Sequence, residues 1–245
     1  MIYVISDLHG ISLQRLKSLL AQARFSEDDT LFVLGDTVDR GAHGVDLLLW
    51  MMEQYNVIHL LGNHEDMLLN VSDMLFDTIT EESLEKITAD KMDTLSTMIA
   101  NGAQPTLTAL KRLYKRDPEQ IQALVEYLKE MPLFEAIEVN DVTYVLVHAG
   151  LGNFERTKRL SAYTRDELLW HRPESTDQYF GGDVMVLCGH TPTSYYGAEG
   201  KMFRTKSWCC IDTSDVKPIL LRLDDWTVFQ EHENAAGYGE DSENS

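Results

Sequence analysis

Five short stretches of this 245-residue chain place an imidazole, carboxylate or amide directly after an apolar run: Asp7 and His9; Asp36 with Asp39 and Arg40; Asn63 and His64; His148; and His190. A single Asp-x-His triplet is a weak signal, since a capping Asp beside an exposed His produces it as well. Five such sites, each near a glycine, are hard to obtain by chance. Four of the eight histidines fall in them, and their company suggests what they do. Imidazole, carboxylate and a neutral amide form a mixed nitrogen and oxygen donor set suited to manganese, iron or zinc, and no cysteine pair stands at zinc-ribbon spacing. A carboxylate has two oxygens and can bridge two ions. Two metals ~3.5–4 Å apart would polarise phosphoryl oxygens and bring the pKa of a bridging water toward neutrality.

The elements that must carry these groups follow from periodicity. Residues 2–5, 31–34 and 57–61 are short apolar runs rich in β-branched residues, each ending at one of the polar stretches, and helical stripes separate them. The first stripe is capped by Ser12 and runs through Leu13, Leu16, Leu20 and Ala23, and the second joins Val45, Leu48, Leu49 and Met52. Alternating strands and helices predict a parallel sheet, in which residues distant in sequence converge outside the carboxyl ends of the strands. Residues 66–131 read as a helical insertion, restarting at Asp117-Pro118-Glu119-Gln120 with an Asp cap, Pro at the first helical position and a capping box completed by Gln120. Residues 134–139 and 142–147 flank Asn140-Asp141 as a hairpin, and the second strand ends in His148. Residues 184–188 form another short strand ending at Gly189-His190. Residues 208–211, 219–223 and 227–230 read as closing antiparallel strands. One domain is expected over 1–232, with 233–245 an acidic, disordered tail.

Apolar residues make up 44% of the chain and charged residues 25%, the composition of an ordinary globular protein. With 21 Lys and Arg against 40 Asp and Glu, the net charge of -19 argues against nucleic-acid binding, although bound cations and a few arginines could reverse the potential locally. The acidic surface is compatible with a monomer. Cys188, Cys209 and Cys210 do not suggest a disulfide framework, and no apolar run is long enough for a signal peptide or a membrane span, so a reducing, cytoplasmic setting is the default expectation.

Other chemistries lose their basis. A cysteine-dependent phosphatase needs arginine six positions after its nucleophile, where this chain has Ser194, Asp215 and Val216. There is no phosphate-cradling Gly-x-x-x-x-Gly-Lys loop, and Gly150-Leu151-Gly152 lacks the third glycine of a dinucleotide fingerprint.

The stretches Asp7-Leu8-His9-Gly10, Gly35-Asp36-Thr37-Val38-Asp39-Arg40-Gly41, Gly62-Asn63-His64-Glu65, Val147-His148-Ala149-Gly150 and Gly189-His190-Thr191 resemble the phosphoprotein phosphatase branch of the calcineurin-like metallophosphoesterases, particularly its bacterial and phage serine/threonine phosphatases. The resemblance runs from residue 1 to about 225, with weaker matches at Asn101-Gly102, Leu169-Trp170-His171-Arg172 and Ile211-Asp212-Thr213. It implies an α/β fold: a central β-sandwich of mixed sheets flanked by helices. It further implies two divalent metal ions per chain, manganese first and iron or zinc next, held by Asp7, His9, Asp36, Asn63, His148 and His190, with Asp36 as the bridge. His64 resembles the general acid and Asp39 its orienting partner. Arg40 and Arg172, with Asn63, resemble the groups that hold the substrate phosphate.

The activity implied is phosphomonoester hydrolysis by direct attack of a metal-bridging hydroxide, with a phosphoprotein or phosphopeptide as substrate and serine/threonine or dual specificity. A dinucleoside polyphosphate hydrolase is the alternative with the same metal core, and a non-catalytic module would be expected to have lost His64, Asp39 or a ligand. Ala103 departs from the family's second glycine after Asn101-Gly102. His43, His59, His171 and His232 read as structural or exposed, with His171 able to line a substrate groove.

Overall fold

The computed structural model describes residues 1–76 and 87–231. Two five-stranded sheets form its centre. In the first, β1 (Ile2–Ile5) pairs in parallel with β2 (Thr30–Val33), and β2 with β3 (Val57–His59). Helices α1 (Leu13–Gln22) and α2 (Gly44–Met52) make the crossovers, as alternating strand and helix patterns require. The Ser12 side chain accepts from the Arg15 amide and so starts α1.

The second sheet begins with the hairpin β4 (Phe134–Val139) and β5 (Val142–Val147). Its turn residues Asn140 and Asp141 both take positive φ, at 50° and 63°, as a tight two-residue turn demands. Next to β5 come β6 (Val184–Cys188) and then β8 (Trp208–Cys210), both parallel, while the short β7 (Phe203–Arg204) closes the edge antiparallel to β8. The antiparallel pairing expected for 208–211 thus holds toward β7 alone: β8 lies parallel to β6, because the chain crosses over through 189–202 before returning. The other two closing strands, β9 (Ile219–Arg222) and β10 (Thr227–Gln230), are antiparallel and join the first sheet beside β1.

Strand alternation divides the core into layers. Val4, Phe32, Leu34 and Leu60 face Tyr144, Leu146, Leu187 and Cys209 between the sheets. Tyr3, Ile5, Leu31 and Val33 point outward against Leu16, Leu19, Leu47 and Met51 of α1 and α2. On the far side, Val145, Val147, Val186 and Trp208 pack under Leu151, Leu168 and Tyr179.

Helices dominate the described residues between β3 and β4, and the first of them starts before residue 66. Helix α3 spans Asn63–Phe76, so Asn63 and His64 open a helix and do not sit in a loop before it. Among the described residues α4 (Ala89–Ala100), α5 (Gln104–Arg116) and α6 (Pro118–Glu130) follow before β4. They bury Met98, Leu110, Leu113, Ile121, Leu124 and Leu128 against α2 and α3. Asp117 caps α6 through the Gln120 amide at 3.1 Å. The short helix α7 (Arg165–Leu169) carries a full capping box between Thr164 and Glu167. No helix among the described residues is long and apolar enough to cross a membrane. The expected acidic tail lies outside the described residues.

Candidate metal centre

The two sheets deliver their polar loops to one edge of the sandwich. Asp7 and His9 follow β1, Asp36 follows β2, Asn63 and His64 open the helix after β3, His148 follows β5 and His190 follows β6. All seven are buried. The loops are held in an uncommon backbone conformation: Asp7, His9, Asp36, Asp39, Arg40 and His190 all have φ between 40° and 69°. Left-handed backbone at non-glycine residues costs ~1–3 kcal/mol each and collects where surrounding structure fixes functional groups. Gly35 sits among them at φ 85°, and a Cβ there would lie 2.9 Å from His148 Nδ1.

A carboxylate with no role assigned by sequence organises the Asp36 loop. Glu65 is fully buried and accepts hydrogen bonds from the amides of Asp36 (2.8 Å), Thr37 (2.8 Å), Val38 (3.1 Å) and Gly62 (3.2 Å). Burial, and then the charge of Asp36, raise its carboxyl to about 7 against the pull of these amides. Helix α3 contributes too, since its His64 amide donates to Asp36 Oδ1 at 3.1 Å, the arrangement that favours an anion at a helix N-terminus.

The imidazoles converge on Asp36 with their lone pairs inward. His148 Nδ1 lies 2.7 Å from the Leu34 carbonyl, His9 Nδ1 3.2 Å from the Val38 carbonyl and His64 Nδ1 2.6 Å from Asp39 Oδ2. Each of these partners only accepts, so each Nδ1 carries a proton and each ring turns its Nε2 to the centre. There the three Nε2 atoms meet oxygens. His148 Nε2 is 3.4 Å from Asp36 Oδ1 and 2.9 Å from Asn63 Oδ1, His9 Nε2 is 3.8 Å from Asp36 Oδ2 and 4.0 Å from Asp7 Oδ1, and His64 Nε2 is 3.8 Å from Asp36 Oδ2. Asn63 Oδ1 also lies 3.0 Å from Nδ1 of His190, whose buried Nε2 has no partner among the described residues. Lone pairs facing lone pairs in a buried site call for cations between them.

The electrostatics agree. Burial lowers His9 and His190 to about 3, keeping them neutral and able to donate their lone pairs. Burial, followed by the charges of Asp212 and Asp36, pushes the Asp7 carboxyl well above its ordinary range, as expected of carboxylates crowded without a counter-ion. Burial opposes protonation of His64, but Asp36 and Asp39 outweigh it and raise that imidazole. The donor set therefore fits divalent metal ions. Two tight groups share Asp36: one with His9 and His64, the other with His148 and His190. Sequence reasoning set His64 apart from the ligands; the fold places its Nε2 near the same carboxylate.

The remaining predicted groups fall around this centre. Arg40 and Arg172 are exposed, and their charges depress His9 and His190 respectively, which sets them on two sides of the site. Arg172 Nη1 donates to Thr191 Oγ1 at 3.3 Å. Asp39 is fully buried, its amide donates to Thr106 Oγ1 at 2.9 Å, and the Arg40 amide donates to the Gly102 carbonyl at 2.8 Å. The Asn101-Gly102 match is thus a backbone support for Arg40. His59 is buried and pairs with Thr37 Oγ1 at 3.0 Å, His171 is half-buried beside the site, and His43 is exposed. Asp212, buried behind Asp7, was visible in sequence only as part of a weak motif match.

The chain belongs to the calcineurin-like phosphoesterase family, whose model matches residues 1–217. The family uses a binuclear divalent metal centre, in keeping with the donor groups around Asp36. The symmetrical bis(5'-nucleosyl)-tetraphosphatase of Erwinia tasmaniensis is 36% identical over 151 residues, a stretch covering 61% of this chain and 44% of that protein. The chain therefore spans less than half the length of the curated relatives it matches first. Among solved structures, a candidate diadenosine tetraphosphatase superposes with a TM-score of 0.60 at 16% identity, covering 94% of this chain and 92% of that one. A serine/threonine phosphatase from Saccharomyces cerevisiae superposes with a TM-score of 0.54 at 17% identity, covering 94% and 78%. Both likenesses concern the fold. The family to which this chain belongs is named for phosphoester hydrolysis.

Proposed function

We propose that this protein hydrolyses dinucleoside tetraphosphates at the central P–O–P bridge, adding one water to give two nucleoside diphosphates. The observation that carries the chemistry is the convergence of buried imidazole nitrogens on Asp36. The choice of substrate is supported by the relative from Erwinia tasmaniensis, which moves the dinucleotide ahead of the phosphoprotein expected from motifs alone.

Asp7, His9, Asp36, Asn63, His148 and His190 would hold two divalent ions, of which manganese, iron and zinc all suit the donors. Such ions supply Lewis-acid polarisation of phosphoryl oxygens and acidify water at neutral pH. Arg40 and Arg172 bind phosphoryl oxygens from either side, a task suited to the planar, permanently charged guanidinium. They also offset locally a net charge of -19 that would otherwise repel a polyphosphate. His64 keeps its Nδ1 proton on Asp39, fixing the ring so that Nε2 can carry a proton to the departing oxygen.

That last pair favours a second reading. A nucleoside diphosphate leaves as a weakly basic anion, whereas a serine or threonine alkoxide must be protonated as it departs, and a buried imidazole raised by two carboxylates serves the alkoxide better. A phosphoprotein substrate is therefore the competitor. Turnover of diadenosine tetraphosphate is to be compared with that of phosphoserine and phosphotyrosine peptides at equal manganese concentration. Faster dinucleotide cleavage with ADP as product is expected, and faster peptide dephosphorylation would overturn the assignment.

A further inference from the structure

Trp170 is out of place for a residue of its type. Its two predecessors, Leu168 and Leu169, are fully buried, yet Trp170 itself is 41% exposed. Its ring stands edge-to-face with the His190 ring, 6.1 Å between centroids at 81°. The site therefore carries a large, accessible aromatic surface directly beside a candidate metal ligand.

The backbone behind that ring is fixed from several sides. The Trp170 amide donates to the Asp166 carbonyl at 3.1 Å and closes α7. Helix α7 is tied down in turn by Arg165 Nε, which donates to Asp66 of α3 at 2.9 Å. Two residues on, Arg172 reaches Thr191, and the Pro173 carbonyl accepts from Tyr196 Oη at 2.9 Å. A ligand that stacks on Trp170 does not have to order the loop first, so little binding energy is lost to immobilisation.

We propose that Trp170 forms a nucleobase subsite, stacking a purine of the substrate while the adjoining phosphates lie against the centre and Arg172. The proposal rests on the dinucleotide reading above. Physically, the charge-bearing half of a nucleotide is served by Arg172 and cations, and its flat half needs a π-surface within one nucleotide's length of them. Trp170 and Arg172 are two residues apart in a pinned segment, which supplies both. No group on the indole reads the edge of the base, so the subsite is tolerant of base identity.

The test uses the manganese-loaded protein and two probes that share their phosphates, ADP and inorganic pyrophosphate, with binding measured by calorimetry. Trp170→Ala should weaken ADP about tenfold, the usual scale for loss of one stacked base, and leave pyrophosphate within about twofold. Trp170→Phe should restore most of the ADP affinity, which a variant that had merely disturbed the fold would not do. Tryptophan fluorescence gives an independent readout. ADP should quench the parent protein, and the quenching should vanish in Trp170→Phe although Trp50, Trp208 and Trp226 remain. Equal ADP affinity in parent and Trp170→Ala, in a parent that cleaves diadenosine tetraphosphate, would overturn the subsite alone. A parent that does not cleave the dinucleotide overturns the functional reading and the subsite with it. Weaker phosphopeptide turnover in Trp170→Ala with unchanged ADP binding would reassign the ring to a peptide and end the proposal.

Discussion

The loops of the first sheet and those of the second contribute to the centre in different ways. From the first come the His9 ring and the oxygen donors Asp7, Asp36 and, opening α3, Asn63; the Asp36 loop is fixed by dense local bonding, with Glu65 gathering four amides and α3 giving its first-turn amide to Asp36. From the second come His148 and His190, fixed by bonds that cross between sheets: His148 to the Leu34 carbonyl and the His190 amide to Asp7. The first half is centred on Asp36 and held by its own neighbourhood. The second is a pair of rings aimed by the first. Such an arrangement makes Asp36 the common element and predicts that damage to the first half spreads, whereas damage to the second stays local.

The largest effect expected is that of Asp36→Asn. Removing the charge shared by both groups should eliminate bound manganese by elemental analysis and reduce turnover on the order of a thousandfold or more, since several kcal/mol of charge stabilisation are lost. His148→Ala should by contrast keep about one metal equivalent, because Asp7, His9 and Asp36 stay in place. Complete metal loss in both variants would break the contrast between the halves.

Next in size is His64→Asn, which should retain metal but slow an alkyl phosphomonoester by about 10²–10⁴-fold, the scale of general acid catalysis. Diadenosine tetraphosphate, with its weakly basic leaving group, should be slowed less. Equal losses on the two substrates would remove the general-acid role.

A smaller effect belongs to Glu65→Gln, a change of one atom that turns an acceptor into a donor opposite backbone amides. Manganese affinity should fall about 10–100-fold, as for other groups that orient ligands, while the purified protein remains folded by circular dichroism. Unchanged affinity would mean that the Asp36 loop holds its left-handed backbone without Glu65. The smallest is Thr106→Val, which deprives the buried Asp39 amide of its acceptor. A cost of about 1–3 kcal/mol in urea unfolding is expected, with metal content unaltered.

Much of this was legible before the fold. Periodicity located the strands of the first sheet, the β4–β5 hairpin and the Ser12 and Asp117 caps, because those signals are local. It missed β7, which is two residues long, and the parallel pairing of β8 with β6, because parallel and antiparallel neighbours leave the same short apolar run in the sequence. Asn63 and His64 were read as a loop, since Gly62 precedes them and helical periodicity becomes visible only from Asp66 onward. Glu65 sat within a recognised motif but had no role until the four amides around it were visible.

The sequence alone determined which groups could bind metal and that they follow strands, because residue type and alternation are properties of neighbours along the chain. Only the tertiary structure decided that Glu65 gathers the amides of the Asp36 loop, that the imidazoles turn Nε2 inward with Nδ1 bound to carbonyl or carboxylate oxygens, and that Trp170 is exposed beside His190. These depend on carbonyls, carboxylates and rings more than a hundred residues away in some cases, such as Leu34 and His148. Proton positions, shared oxygens and exposure are set by partners that no local window contains.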